Sequence, residues 1–565
     1  MITRPKISEK YPIFTDISVV IFLAALVFCF VRIGQHWEAP LQSEVEINLS
    51  LWKLPGYTFF SLLRGFFAYG LSLAFALPYG YIAAHRPRAE RVMLPLLDIL
   101  QSIPVLGFLP GVVLALVTLF PNTNVGLEIA SILMIFTGQV WNIAFSFHQS
   151  LRSIPSELNE VASLYRFSSW QKLLRVELPS SAVGLAWNSM LAMAGGWFFL
   201  MICEAFTLRN HDFRLPGLGA YISVAISRDD KTALLAGIVA MILMIISVDT
   251  FVWKPLIAWT QKFQMEEGGV KENEISRIGR WLLNSRLVQK MGVFLSSLIS
   301  QILAWRARHL SRRYVQNISF SLLNTALLVL SGLLILWGAW RMVDLLRDLN
   351  LDQWLSVLSG ALFTFLRVFA ALMLGSLWTI PVGIWIGQSE KRAARFRPFV
   401  QVAASFPAPI LYPLIFVGLH FLGMGASITA TILMLLGTQW YILFNVIAGV
   451  VSMPSDISEV AHAYHFKRIQ FWKIVWWPAI FPYLVTGWVT AAGGAWNASI
   501  VAEFVILGQQ TSKASGLGSL ISIAAADGHY GVLAASVLTM SIVVALINRF
   551  VWKKLYHFAE TRYAY

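Results

Sequence analysis

Four ionisable side chains sit where a chain this apolar tolerates them least: Arg64 and Arg367 inside two matching hydrophobic runs, and Glu204 and Glu503 near the ends of two others. A charge at membrane depth must find a partner or an aqueous path, which makes each of these residues a candidate for gating or solute handling. One acid and one base in each half of the chain point either to an electrostatic latch on an outer gate or to a purely structural ion pair. Residues for catalysis do not assemble. The ten histidines show no ligand spacing, Cys29 and Cys203 lie within apolar runs as small core residues, and no nucleophile triad can be placed. The chain is therefore read as non-catalytic, with no metal site.

The elements that must hold these residues follow from composition. Of 565 residues, 57% are hydrophobic and only 13% are charged, about half the roughly 25% charge of soluble domains. Such a chain cannot cover itself with polar side chains, which excludes a soluble enzyme, a disordered hub and a disulfide scaffold. The net charge of +14 is a topology signal rather than a nucleic-acid footprint: 32 of the 43 Lys and Arg fall in loops on one side of the apolar segments and nine on the other. The positive-inside bias places both termini in the cytoplasm, with lipid the outer solvent and no nucleic-acid partner.

At roughly 20 apolar residues per span, the fold class is all-α and polytopic, with about twelve transmembrane helices. Six are expected near 16–35, 58–84, 93–119, 127–148, 181–205 and 232–253, and six near 319–340, 357–387, 398–420, 425–450, 479–505 and 531–552. The first follows a basic start without a cleavage site and reads as an uncleaved anchor. Residues 291–305, short, serine-containing and flanked by Lys290 and Arg306, read as an amphipathic helix in the cytoplasmic interface. The expected domains are a first half (1–260), a basic cytoplasmic linker (261–317) and a second half (318–565).

The halves are tandem repeats. An offset of 303 pairs Arg64 with Arg367, Pro78 with Pro381, Gly80 with Gly383 and Pro104 with Pro407; an offset of 299 pairs Trp141 with Trp440, Glu160 with Glu459, Pro179 with Pro478, Glu204 with Glu503 and Gly217 with Gly516. Six spans per repeat give both copies the same orientation, related by an axis along the membrane normal, with a pathway between them.

The strongest repeated signal is the loop between the fourth and fifth helices of each half, PSELNEVASLYRFSSWQKLLRVELP from Pro155 and PSDISEVAHAYHFKRIQFWKIVWWP from Pro454, identical at ten of 25 positions. Ser156 or Ser455 can cap a short helix whose first turn carries Glu157 or Asp456. Leu158, Val161, Ala162 and Tyr165, repeated as Ile457, Val460, Ala461 and Tyr464, form an i, i+3, i+4, i+7 stripe that must dock on something. Two matched copies favour a two-fold partner over the chain's own helices.

This loop resembles the EAA motif of ABC importer permeases: Glu160-Val161-Ala162 before Leu178-Pro179, and Glu459-Val460-Ala461 before Trp477-Pro478, with Arg166 and His465 in place of the motif's glycine. Further matches are Ser61 to Arg64, Pro78-x-Gly80 and Pro381-x-Gly383, Cys203-Glu204 and Ala502-Glu503, and Gly-Leu-Gly at Gly217 and Gly516. They look most like the nitrate, sulfonate, taurine and bicarbonate branch. The resemblance implies a type I importer fold. It also implies that Glu160, Val161, Ala162, Tyr165 and Pro179, with Glu459, Val460, Ala461, Tyr464 and Pro478, couple two cytoplasmic ATPase subunits to the pathway. An extracytoplasmic substrate-binding protein would deliver a small solute, by family analogy an anion such as a sulfonate, nitrate or bicarbonate. The dipeptide Gly-Lys never occurs, so this chain cannot build a phosphate-cradling loop, and ATP and Mg would belong to the partner subunits.

Pro104, Pro110, Pro407, Pro409 and Pro413 interrupt the third helix of each half, making a pathway-lining hinge or a simple kink. Gln101 is a pathway candidate that half two replaces with Ala404. The outer loops 206–231 and 505–530 are long, Gly-containing and polar; the resemblance implies a face for a binding protein with His211, Asp212 and Lys513 as rim contacts, and the alternative is a solvated loop. The alternative is a 6+6 secondary transporter of the major facilitator type, whose signature would fall between helices two and three, where this chain is merely basic.

Overall fold

The computed structural model describes residues 46–102, 105–208, 211–260, 263, 318–453, 455–507 and 510–563. The expected helix at 16–35, the interfacial helix at 291–305, nearly all of the linker, Pro104 and Pro454 lie outside the described residues. The chain forms two compact units, Trp37–Val248 with Leu349–Tyr565, and Met1–His36 with Asp249–Asp348. The second unit holds the 30-residue helix Ile318–Arg347, which matches the expected span at 319–340. Its Leu333, Leu336, Trp337 and Trp340 are exposed, as lipid-facing side chains are.

In the first unit, helix α1 (Leu54–His85) begins with a proline at its second residue, whose missing N–H is an orphan there anyway. It stops at Arg86, extended at φ −124° and ψ 99° as the residue before Pro87 must be. There follow α2 (Pro87–Ser102), α3 (Leu109–Leu119), α4 (Val125–Arg152), the short loop helix α5 (Ser156–Leu164) and α6 (Leu178–Cys203). A hairpin of β1 (Ala205–Leu208) and β2 (His211–Arg214) leads to α7 (Leu218–Ser227) and α8 (Lys231–Val248). The second half repeats this order as α9 (Leu351–Gly387), α10 (Glu390–Ser405), α11 (Tyr412–Phe421), α12 (Ala426–Val451), α13 (Ser455–Ala463), α14 (Trp477–Ala502), β3 (Phe504–Leu507), β4 (Gln510–Lys513), α15 (Leu517–Asp527) and α16 (Tyr530–Ile547).

Among the described residues, eight helices are long and apolar enough to cross a membrane, four in each repeat. The third span of half two is broken rather than kinked. In half two, Pro398–Ser405 and Ala408–Phe421 meet at 78°. Phe406 and Pro407 are both extended, with ψ of 125° and 107°, because proline excludes the helical conformation from its predecessor and offers no N–H to continue the ladder. Pro110 and Pro413 do not kink a helix at all; each is the second residue of a new one, α3 and α11.

The outer segments are not the solvated loops of the alternative reading. Each folds into a two-stranded hairpin, Ala205 opposite Arg214 and Phe504 opposite Lys513. Each then turns back into a helix whose face is buried, Leu218, Ala220 and Tyr221 in half one and Leu517 in half two being fully inaccessible. A connecting segment at membrane depth must satisfy its own backbone, and hairpin plus helix does so.

The helices pack through small residues. A Cβ on Gly80 of α1 would lie 2.9 Å from the Phe147 ring and 3.2 Å from the Ala144 carbonyl of α4, so the Pro78-x-Gly80 pattern marks a close helix crossing. Gly383 of α9 meets Val446 of α12 in the same way, at 2.7 Å.

Candidate functional site

The four charges in the apolar segments form two staples, each inside its own half. Arg64 Nη1 donates to Glu204 Oε1 at 2.7 Å, and Arg367 Nη1 donates to Glu503 Oε1 at 2.7 Å. In half one the Ser61 hydroxyl donates to Glu204 Oε1 at 2.6 Å and accepts from the Leu218 N–H at 2.9 Å; Thr364 does the same for Glu503 and Leu517, at 2.8 Å each. The second carboxylate oxygen accepts from the Gly219 or Gly518 N–H, so each glutamate caps the helix that follows its hairpin. The Gly-Leu-Gly motif follows from this. Any side chain at Gly217 or Gly516 would overlap the carboxylate, so space rather than dihedral freedom excludes it there.

The two staples are unlike in one respect that the sequence reading missed. Arg64 also binds Glu128 through Nε and Nη2, at 2.6 and 2.7 Å, whereas the corresponding residue of half two is Ser427, which accepts from Arg367 Nε at 2.9 Å. Arg64, Glu128, Glu204, Arg367 and Glu503 are all buried. They fasten hairpin to helix within one repeat.

The loops between the fourth and fifth long helices have one structure twice. Helix α5 begins at Ser156 with Pro155 as its flanking residue, so Ser156 does not cap it as expected but forms its first turn. At the other end Arg166 is left-handed at φ 51°, with its N–H bonded to Ser163 O at 2.9 Å and the Phe167 N–H to Ala162 O at 2.9 Å, a Schellman turn. His465 has the same φ of 51°, and the Phe466 N–H bonds to Ala461 O at 3.2 Å. The bend that glycine makes in the EAA pattern is thus retained without glycine.

Beyond the bend, Ser168 and Gln171 form a capping box. One π-helical turn, Leu173–Glu177 or Trp472–Trp476, then leads into α6 or α14, where Pro179 or Pro478 is the second residue. The stripe read from the sequence divides in two. Ala162 and Ala461 are buried against the chain, while Val161, Tyr165, Val460 and Tyr464 are exposed, both tyrosines at 74%. Glu160 and Glu459 are exposed on the same turns. Trp170 and Ile469, which the sequence reading did not single out, extend the exposed apolar face.

Between the halves lies a cavity of about 630 Å³, walled by α4 and α6 on one side, α12 and α14 on the other, and the break around Pro407. Gln101 lines it, as does its counterpart Ala404; Arg64, Glu204, Arg367 and Glu503 do not, and no charged side chain lies among the described lining residues. The turn Val105–Phe108 before α3 is tied across the halves, its first N–H donating to Asn497 Oδ1 of α14 at 2.9 Å. Sequence self-comparison offers no signal for this bond, because Asn497 corresponds to Phe198.

The family model of binding-protein-dependent transport system inner membrane components matches residues 76–252 and again 379–555. The chain belongs to this family. Each match covers one loop with its exposed tyrosine and one hairpin with its capping glutamate, so two membrane components are fused in tandem. The family is one of transport components rather than catalysts, and the match sets aside the secondary-transporter alternative.

Similar proteins include a putative ABC transporter permease protein of Methanocaldococcus jannaschii, 25% identical over 209 residues, covering 35% of this chain and 75% of that one. A nitrate import permease protein of Leptolyngbya laminosa is 27% identical, and a bicarbonate transport system permease protein of Synechococcus elongatus 28% identical, each over 186 residues, 33% of this chain. The chain spans 63% of the length of each of these last two. Membership in an inner-membrane transport family, with eight helices among the described residues long and apolar enough to cross a membrane, makes the protein a multi-pass membrane protein.

Proposed function

We propose that the chain is the transmembrane permease of an ATP-driven importer, its two fused halves forming the pathway for a small solute handed over by an external binding protein. Two cytoplasmic ATPase subunits dock on the loops, one at α5 and one at α13. The observation that carries this is the duplicated loop: two copies with the same left-handed bend, each presenting a valine and a tyrosine outward from the membrane-facing body. An exposed apolar face on a helix outside lipid has no reason to persist unless a partner covers it.

The excess of Lys and Arg on the loop side supports placing these loops and both termini in the cytoplasm. The hairpins then lie on the opposite face, where Lys513 is exposed and His211 and Asp212 lie on β2. Relatives named for nitrate and bicarbonate support a small solute as the cargo.

The test is co-purification from the native membrane. The unaltered chain should retain two copies of an ATP-hydrolysing subunit, and replacing Tyr165 and Tyr464 together with Ser should release them without moving the thermal unfolding midpoint, since both side chains are solvent-facing. Retention of the subunits by the double variant would sink the docking assignment.

A further inference from the structure

His85, the last residue of α1, is held between two acceptors. Its Nδ1 lies 3.0 Å from the Tyr81 carbonyl oxygen, one turn back on the same helix. Its Nε2 lies 2.9 Å from Glu177 Oε1, at the end of the π-helical turn that joins the loop of half one to α6. A carbonyl and an ionised carboxylate only accept, so both ring nitrogens must carry protons for both bonds to exist, and only the imidazolium has two.

The carboxylate on the other side of this contact is poorly served by anything else. Glu177 is 2% exposed, and its Oε2 is buried without a hydrogen-bond partner among the described residues. Besides His85, the cation within ion-pair distance is Lys172, whose Nζ is 3.5 Å from the same Oε1. The remaining charges of the neighbouring elements are engaged elsewhere or solvated: Glu90 of α2 pairs with His148 and Arg152 of α4, and Arg86 and Arg88 are exposed. The Tyr81 ring covers one face of the imidazole, with centroids 4.2 Å apart. The His85 side chain still reaches solvent, 34% exposed, so its proton exchanges with the water on that side.

Half two does not repeat the arrangement. Gln388, Phe471 and Trp476 stand at the places of His85, Lys172 and Glu177. Phe471 and Trp476 pack with ring centroids 5.5 Å apart in an apolar cluster. One loop is thus tied to the body by a contact that needs a proton, and the other by aromatic packing that contains no titrating group.

We infer that His85 is a proton-operated clasp on the first half alone. Charged, it ties the segment that leads from α5 into α6 to the end of α1; neutral, it must give up one of its two acceptors, and its attraction to the buried carboxylate goes with the charge. An imidazole changes charge between about pH 5 and pH 8, so the clasp is closed at the lower end of that range and opens as pH rises through it. The inference rests on the permease reading, which puts this end of α1 in the cytoplasm and an ATPase subunit on α5, and adds regulation to it: a rise in cytoplasmic pH loosens the coupling of half one and leaves half two engaged.

Hydrogen exchange on the full chain in lipid nanodiscs, read by mass spectrometry at about pH 5.5 and about pH 8.5 and corrected for the intrinsic pH dependence of amide exchange, follows both turns in one sample. Leu173–Glu177 should lose at least about threefold in protection at the higher pH, while Trp472–Trp476 keeps its own. His85→Gln, which installs the residue of half two, should show the weaker protection at both pH values, and His85→Arg, permanently charged, the stronger at both. A merely structural histidine would leave the two variants alike. Equal protection of Leu173–Glu177 at the two pH values in the unaltered chain, an equal change in the half-two turn, or a pH dependence that survives in His85→Gln would each overturn the clasp. In the complex with its co-purified ATPase subunits, ATP turnover of the unaltered chain relative to His85→Arg should fall severalfold between the same two pH values, and a constant ratio would overturn the regulation. Failure to retain the subunits at all would count against the permease reading and leave the exchange result standing, so the two failures are distinguishable.

Discussion

Asn497 of the second half accepts a hydrogen bond from the backbone N–H of Val105 in the first half at 2.9 Å, satisfying a donor of the turn before α3. The bond joins α14 of one half to the turn at Val105–Phe108 of the other, and Val105 and Asn497 both line the cavity. Asn497→Ala should destabilise the chain by about 1–3 kcal/mol, the cost of leaving that N–H without an acceptor. Thermal unfolding in detergent measures it, and an unchanged midpoint would dissociate the bond from stability.

The two staples should respond unequally to loss of their glutamates. In Glu204→Gln, Arg64 keeps both hydrogen bonds to Glu128; in Glu503→Gln, Arg367 is left with Ser427, the Ser515 carbonyl and a neutral amide. A buried cation without a carboxylate costs about 3–5 kcal/mol, so Glu503→Gln should lower the unfolding midpoint markedly and Glu204→Gln much less. Equal effects would show that Glu128 does not compensate.

The left-handed residues of the two loop turns make a prediction of opposite sign. Arg166 and His465 at φ 51° each bear a cost of roughly 1–2 kcal/mol that glycine avoids. Arg166→Gly should therefore preserve ATPase retention and raise local protection of the Phe167 amide from hydrogen exchange. Arg166→Val, whose branched side chain resists this conformation, should reduce retention severalfold. Retention that is insensitive to valine would mean that the bend is not needed for docking.

Acid should loosen the two halves differently on the loop side. Arg152 donates to Glu90 at 2.5 Å and His148 lies 3.2 Å from the same carboxylate, holding the Glu90 carboxyl below its usual range, chiefly through the Arg152 hydrogen bond. A carboxylate whose folded-state value is depressed stabilises the fold above its unfolded value, and that contribution is lost as pH falls through the folded-state value. The difference in unfolding midpoint between the unaltered chain and Glu90→Gln should be present at neutral pH and shrink toward zero below the ordinary carboxylate range. Half two, with Ala393, Ile447 and Val451 at these places, has nothing there to titrate.

The parts of this molecule legible in the sequence are those set by one-dimensional length and repetition. Apolar runs gave the long helices within a few residues, and the repeat offset paired Gly80 with Gly383, though that both stand at close helix crossings is visible only in the structure. The hairpins were not legible because Ala205–Leu208 and His211–Arg214 are too short to show alternation, and their reason for existing is the backbone demand of a buried setting rather than a local preference. The third-span break was half legible: the prolines were noticed, but their joint effect at Phe406 and Pro407 depends on consecutive extended dihedrals. Glu128 escaped because an acid in the first turn of a helix looks like a favourable end charge. The cavity walls could have been found, since the repeat offset alone pairs Trp187 with Thr486 and Phe198 with Asn497. What the sequence lacked was the knowledge that those faces look at each other.

Two identical subunits around an axis would offer any solute a pair of interchangeable poses, related by half a turn and equal in energy. Fusion into one chain has removed that degeneracy, because corresponding cavity-lining positions differ between the halves, Gln101 standing against Ala404 and Phe198 against Asn497. The entropy given up is small, RT ln 2 or about 0.4 kcal/mol, and in exchange every molecule sits in one rotation about the pathway axis. The passage is keyed, like a plug with unequal pins, and the external carrier must present its cargo in the matching rotation.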